Sequence, residues 1–398
     1  MHPSDEIRGT KSKKLFNKRI VLGVTGSIAA VECVKLSREL IRHGAEVFPV
    51  MTRSSTRIIH PDSLEFATGN KPIIELTGKT EHVSFCGLVK GPVDLLLISP
   101  CTANTISKIA RGIDDTSVTT FATTAVGSRV PILIVPAMHL SMYDHKVVQN
   151  NIKKCKKIGV KFVGPYIVGN KAKMPSVDEI VANVIREIGK NDLKNKEILV
   201  IGGSTAESID DVRVLSNLSS GKTAISLVKN AFFRGADVEL WYGCSEEPVP
   251  EYINAIKFQS ISDLLKLLKS KDLKKFDAIF VCAALADYIP KKHAGKISSE
   301  KNKLVLEMLP APKIVMQLRK LSPKSKIIGF KVESKKDKLK QKAFELLKKN
   351  NLDFVVANTV SAFGSDKNEI LIIHKNGKAA SKKGTKEILA DNILDLVR

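Results

Sequence analysis

The segment Ser216-Asn217-Leu218-Ser219-Ser220-Gly221-Lys222 gathers small hydroxyls, an amide, a glycine and a lysine, with Asp210, Val212 and Arg213 just upstream. It follows an apolar run that ends in two glycines, Ile198-Leu199-Val200-Ile201-Gly202-Gly203. After a strand, these residue types build a cradle of backbone N–H groups and side chains for anionic oxygens. Gly221-Lys222-Thr223 invites comparison with the phosphate loop of nucleotide hydrolases, but Ser216 stands where that motif needs its first glycine. Gly78-Lys79-Thr80 fails in the same way, with Ile73 in that place. On these residues alone, polar groups that simply cap a helix beginning at Lys222 explain the segment equally well.

A second candidate lies near the start. Ile20-Val21-Leu22-Gly23-Val24-Thr25-Gly26-Ser27-Ile28-Ala29-Ala30 has a Gly-x-x-Gly-x-x-Ala rhythm. Glycine lets the backbone turn tightly and approach a phosphate, and Ser27 can donate a hydrogen bond where a helix begins. The dinucleotide pattern Gly-x-Gly-x-x-Gly is missing, and no acid ends the next strand at Met51, so a mononucleotide phosphate fits better. Helix–strand packing alone explains such a turn about as well. Met51-Thr52-Arg53-Ser54-Ser55-Thr56, Ser99-Pro100-Cys101-Thr102-Ala103-Asn104-Thr105 and Pro136-Ala137-Met138-His139-Leu140-Ser141-Met142-Tyr143 each follow an apolar run. Those are the carboxyl ends of predicted strands, where open α/β sheets bind ligands. His82 stands alone before Val83-Ser84-Phe85, and by itself reads as a surface histidine ahead of a strand.

The elements that must position these residues alternate along the chain. Strands are predicted at 19–24, 46–51, 94–99 and 131–135, with helical spacing over 28–43 between the first two. The second half repeats the pattern, with strands at 197–201, 237–241, 277–282, 326–330, 353–356 and 369–373 and helices at 222–234, 261–269 and 338–349. Strands separated by helices imply parallel sheets with right-handed crossovers. The expected fold class is therefore α/β, with two doubly wound, Rossmann-like domains. Each half restarts with strand, glycine loop and helix. The polar stretch 189–196, after a helix at 177–188, divides the chain into an extension at 1–17 and domains at 18–190 and 191–398.

Composition narrows the function. A chain of 398 residues is too long for one core. With 43% hydrophobic and 26% charged residues it reads as soluble and globular, and no apolar run reaches membrane-spanning length. Residues 1–18 are polar and lysine-rich and lack the apolar core of a signal peptide, so a cytoplasmic protein with no membrane partner is expected. The six cysteines are scattered without a Cys-x-x-Cys pair, which argues against disulfides and zinc. The formal charge of +23 would attract nucleic acid or small anions. The lysines are dispersed and aromatics make up only 5%, too few for stacking on bases, so a solvated surface with small anionic substrates is the better reading and no nucleic-acid partner is expected.

Taken together, Gly23 to Ala30, His82, 99–105 and 136–143 resemble the homo-oligomeric flavin-containing cysteine decarboxylases, over roughly residues 18–188. The resemblance implies a flavodoxin-like domain that binds FMN through Gly26, Ser27, Ile28, Thr52, Ser54, Thr102 and Asn104. It implies His82 as the catalytic, proton-handling residue and Met138, His139 and Met142 as substrate-binding. The implied chemistry is oxidation of a C-terminal cysteine thiol by FMN to a thioaldehyde, loss of CO2 to an enethiol, and return of the electrons to that enethiol. Two departures stand out. The family's signature is Pro-x-Met-Asn-x-x-Met, and here His139 replaces the Asn that holds the substrate carboxylate. The family's bacterial members also carry a flap with a proton-donating Cys, and the matching segment 164–174 has none. Neither Cys155 nor Cys101 is assigned to that role.

The second half resembles the phosphopantothenate–cysteine ligases over nearly all of 195–398. Beyond 203–222, the matches are Ala283-Ala284-Leu285-Ala286-Asp287-Tyr288, Gly295-Lys296-Ile297, Pro312-Lys313-Ile314-Val315, Gly329-Phe330-Lys331 and Ala357-Asn358, in order. The resemblance implies a nucleotide-binding ligase domain that activates the carboxylate of 4′-phosphopantothenate with CTP as an acyl-cytidylate, which L-cysteine then attacks. It implies catalytic roles for Asn217 and Lys296, substrate binding by Arg213, and nucleotide binding by Val281, Cys282, Ala283, Asp287, Lys296, Pro312, Lys313, Ile314, Val315 and Phe330. Mg2+ is implied by the pyrophosphate leaving group, without assigned ligands. Ala311 stands where relatives carry Asn, and Leu346 and Asn350 stand near positions of family lysines, with Lys342, Lys348 and Lys349 as possible substitutes. The fusion in this order is the arrangement of the bifunctional coenzyme A biosynthesis proteins, here of the archaeal type, and implies trimers of the first domain, dimers of the second and hence a dodecamer. The alternative is a ligase-only protein with a degenerate flavin-binding assembly domain.

Overall fold

In the computed structural model, which describes residues 2–298, 303–359 and 367–398, the chain divides into two compact units, Met1–Lys190 and Asn191–Arg398. The first is built on five parallel strands: β1 (Arg19–Val24), β2 (Glu46–Met51), β3 (Leu95–Cys101), β4 (Ile132–Pro136) and β5 (Lys161–Phe162), in the order β2-β1-β3-β4-β5. All seven residues of β3 are buried. Helices cover both faces of such a sheet, which is why its strands read as continuous apolar runs. The order reverses at β1: one connection leads outward to β2 and the next returns to β3. That leaves a crevice over the carboxyl ends of β1 and β3, the ligand position of flavodoxin-like sheets.

Two local expectations are corrected. The stretch 28–43 opens as a tight 3-10 turn, Ile28–Glu32, before the α-helix Cys33–Arg42. His82 precedes no strand, because Glu81–Cys86 is a helix. Its Phe85 packs at 4.8 Å from Phe48 and 6.2 Å from Phe121 by ring centroid, and this aromatic anchoring holds a six-residue helix too short to be stable alone.

The second unit carries eight strands: β6 (Glu197–Gly202), β7 (Asp237–Tyr242), β8 (Asn254–Lys257), β9 (Ala278–Val281), β10 (Lys326–Glu333), β11 (Phe354–Thr359), β12 (Lys367–His374) and β13 (Ala379–Thr385), ordered β8-β7-β6-β9-β10-β11-β12-β13. The first six are parallel. The last two are antiparallel, against the expectation of a wholly parallel sheet. The link between β12 and β13 is only residues 375–378, far short of the dozen or so that a parallel crossover needs. The polar strands β8 and β13 also lacked a periodic signal. β13 is mostly exposed and carries Lys382 and Lys383, which suit an edge.

Candidate active sites

In the first unit, hydroxyl groups knit the carboxyl ends of β1, β2 and β3 together. Thr25, only 1% exposed, donates through Oγ1 to Pro100 O at 2.8 Å and accepts from Thr102 N at 3.1 Å. This strap crosses the crevice between β1 and β3. Thr52 N donates to Val24 O at 3.0 Å, and Thr52 Oγ1 lies 3.0 Å from Ser54 Oγ. A Cβ at Gly26 would lie 2.7 Å from Ser54 Oγ, so only glycine lets the two loops approach this closely. Ser27 sits at the start of the 3-10 turn with its hydroxyl making no capping bond. Thr102 caps the helix Ala103–Ile109. Gly26, Ser27, Ile28, Thr52, Ser54, Thr102 and Asn104 are therefore gathered on one edge, with Ile28 and Asn104 exposed. A cavity of about 640 Å³ adjoins it, lined by Thr52, Ser54, Asp115, Thr116 and Ser117 among others.

The remaining predicted residues lie on appended elements. His82 is on Glu81–Cys86, which packs against the helix Ser117–Ser128. Its Nδ1 is buried without a hydrogen-bond partner. His139 follows β4, and its Nδ1 lies 2.8 Å from Ser141 Oγ and accepts from Ser141 N at 3.3 Å. The imidazole thus caps a short helix, Leu140–Tyr143, a position where an Asn side chain does the same work. Met138 and His139 pair with Ala172 and Lys171 of a hairpin, Tyr166–Val168 and Lys171–Lys173, so the segment that lacks the flap Cys lies directly against His139. Neither alternative cysteine reaches this surface. Cys155 is fully buried and points to Ile106 O; burial raises its thiol to about 11. Burial also pushes Cys101 well above the ordinary thiol value.

In the second unit, the loop after β6 is tied to the loop after β9. Ala284 N donates to Gly203 O at 2.8 Å and Ala286 N to Thr205 Oγ1 at 3.0 Å. Gly203 has φ +82°, and a Cβ there would meet the Gly243 backbone at 2.9 Å, so the tight passage requires glycine. Asn217 Nδ2 donates to Ala284 O at 3.3 Å and Leu285 O at 3.2 Å, which leaves Oδ1 as its unengaged group. Val281, Cys282 and Ala283 run off the end of β9 beside Phe330 on β10, and Lys313 forms a 2.6 Å ion pair with Asp287. Burial raises the Cys282 thiol to about 12, leaving it a small apolar group. Lys342 is held by Glu333 at 3.2 Å and Lys348 lies over the Phe344 ring.

Asp210 organises a separate part of this site. It lies in the turn of the hairpin Ala206–Ser208 and Val214–Ser216 and is 2% exposed. Its carboxylate accepts from Ile297 N at 3.0 Å, from Val212 N and Arg213 N at 2.8 and 2.6 Å, and from Arg213 Nη1 at 2.6 Å. The Ile297 N–H foremost, then those of Val212 and Arg213 with the guanidinium, hold this carboxyl far below the usual range. Arg213 also donates to Ile297 O at 3.2 Å. Lys296 is thereby fastened to the hairpin turn, whereas Asn217 is fastened at its open end. Sequence reasoning named Asp210 beside the 216–222 loop but gave no role to it or to Thr25. A threonine inside the glycine loop and an Asp three residues before an Arg are weak signals until the hydrogen bonds are seen.

The flavoprotein family model matches residues 8–189, and the model for the DNA/pantothenate metabolism flavoprotein C-terminal domain matches 193–398. The coenzyme A biosynthesis bifunctional protein CoaBC of Thermococcus kodakarensis is 44% identical over 99% of this chain and 98% of its own. The chain belongs to the coenzyme A biosynthesis bifunctional protein family. That of Methanocaldococcus jannaschii is 40% identical over 100% of this chain and 98% of its own. Among solved structures, the DNA/pantothenate metabolism flavoprotein from Streptococcus pneumoniae is 26% identical, with a TM-score of 0.46, over 50% of this chain and 97% of that one. As a member of this family the chain is a bifunctional enzyme, with a flavoprotein decarboxylase half and a phosphopantothenate–cysteine ligase half. The ligase-only alternative is not favoured, because both halves carry their own family match. Among the described residues, no helix is long and apolar enough to cross a membrane.

Proposed function

We propose that the second domain joins L-cysteine to 4′-phosphopantothenate at the expense of CTP, and that the first converts the product to 4′-phosphopantetheine with FMN. The observation that carries this reading is that both glycine loops lie at carboxyl edges of doubly wound sheets, each hydrogen-bonded to the motif segments that resemblance pairs with it. Gly26 to Ile28, Thr52, Ser54, Thr102 and Asn104 would hold FMN. The close approach at Gly26 and the free hydroxyl of Ser27 fit a phosphate and its polar chain. FMN supplies the two-electron acceptor that the decarboxylation requires. His82, whose buried Nδ1 lacks a partner, handles the substrate proton. Met138, His139 and Met142 position the cysteine end of the substrate.

In the ligase, Asn217 orients the acyl phosphate, Arg213 assists substrate binding, and Lys296 neutralises charge that develops as pyrophosphate leaves. Val281 to Ala283, Asp287, 312–315 and Phe330 form the nucleotide's bed. Mg2+ accompanies the triphosphate; among the described residues no group of three or more His, Cys, Asp or Glu is placed to hold a metal by itself. We further infer cytoplasmic location, small-molecule partners only, and assembly of trimers and dimers into a dodecamer. The test is a coupled assay with purified, FMN-supplemented protein. CTP- and cysteine-dependent pyrophosphate release, followed by CO2 release, is expected, with ATP a poorer donor. Absence of both partial reactions overturns the reading.

A further inference from the structure

We propose that Lys171 is a substrate-positioning residue of the decarboxylase half, forming with His139 a two-donor clamp for the substrate carboxylate. The inference rests on the functional reading above and adds a residue to it. His139 and Lys171 are direct partners across an antiparallel pair. Directly opposed residues project from the same face with Cβ atoms about 4.5–5.5 Å apart, within reach of one carboxylate. Both are exposed, whereas the neighbouring pair, Met138 and Ala172, turns inward, with Ala172 1% exposed. The register is locked by a 2.9 Å bond from Leu140 N to Asn170 O.

The donors are complementary. His139 Nδ1 is occupied as acceptor of the Ser141 N–H, so the ring presents Nε2–H outward as a neutral donor. A neutral donor by itself holds a carboxylate more weakly than a charged one. Lys171 brings the positive charge. Segments 136–143 and 164–174 contain no acidic residue, and the nearby Glu179 is taken by Tyr166 Oη at 2.8 Å. Among the described residues Lys171 has no ion pair to release before it binds an anion. Lys173 has the same chemistry but pairs with Tyr166, two residues along the strand. It is the internal control.

The experiment is calorimetric titration of the full, FMN-loaded chain with two probes. One is 4′-phosphopantothenoylserine, which keeps the carboxylate but has no thiol to react. The other is 4′-phosphopantothenoylethanolamine, which lacks the carboxylate. Wild type is expected to prefer the first by about tenfold or more. Lys171→Ala brings that ratio within about twofold of unity, Lys171→Arg preserves most of it, and Lys173→Ala leaves it unchanged. Melting temperatures verify that all variants fold. The clamp is refuted if Lys171→Ala keeps the full ratio or if Lys173→Ala loses as much. Equal binding of both probes by wild type refutes the clamp while leaving the decarboxylase reading intact. Binding of neither refutes both.

Discussion

The two halves use one plan with different fastenings. Each lays a parallel sheet as a floor, gathers its loops at the carboxyl edge and adds an antiparallel hairpin above it. In the first half the floor is stitched by neutral groups, the Thr25 and Thr52 hydroxyls and the Thr102 N–H, and the hairpin 166–173 carries its lysines to solvent. In the second half the hairpin is bolted down by one ionised carboxylate, Asp210, which receives backbone bonds from both segments it joins. A network of neutral bonds loses one modest increment at a time. A buried charge concentrates the dependence on a single side chain. The comparison teaches that the first half should degrade gradually at its loops, and the second abruptly at its hairpin turn.

The largest expected effect separates the two chemistries. His82→Asn lowers CO2 release by about 10²- to 10⁴-fold while pyrophosphate release by the ligase stays within twofold, measured on the same preparation. Loss of both together would mean that the halves are not independent. Next, Asn217→Asp lowers ligation by about 10²- to 10³-fold and spares decarboxylation of supplied substrate.

Asp210→Asn is expected to cost about a hundredfold in ligation through displacement of the 295–297 segment, although residue 210 is itself buried. It carries a pH signature as well. Because the folded carboxyl lies far below the ordinary value of about 4, its stabilisation is complete above that value and is lost as acid titrates it. Stability, read from denaturation monitored at Trp241, the single tryptophan, should therefore fall more steeply below about pH 4 in wild type than in the variant. Equal slopes would break the contrast between the halves.

Thr25→Val tests the hydroxyl stitching. Loss of a bond in the crevice strap is expected to weaken flavin binding about tenfold, read by flavin release on dilution, with about 1–3 kcal/mol lost in stability. The smallest effect is Cys155→Ala, which should leave CO2 release within about twofold because the thiol is buried and directed at Ile106 O.

Much of this was legible beforehand. The runs 19–24, 46–51 and 197–201 are apolar without alternation, which marks buried parallel strands, and they appear as β1, β2 and β6. The carboxyl-edge loops followed from those strands. His82 was misplaced locally because a six-residue helix has too little periodicity, and only the packing of Phe85 on Phe48 and Phe121 makes it a helix. The polar strands β8 and β13 escaped the sequence reading for want of a periodic signal, and the antiparallel pairing of β12 and β13 was missed because it depends on how short their connection is and on which edge is free.

The amino-acid sequence by itself determined the two doubly wound halves, the order of their glycine loops and the family, since these depend on local periodicity and on motifs that survive as strings. Only the tertiary structure decided that Lys171 faces His139, that Asp210 holds Ile297, and that Asn217 and Lys296 are fastened to opposite ends of one hairpin. Such pairings join residues up to 87 positions apart through strand register and single hydrogen bonds, and no local pattern encodes a register.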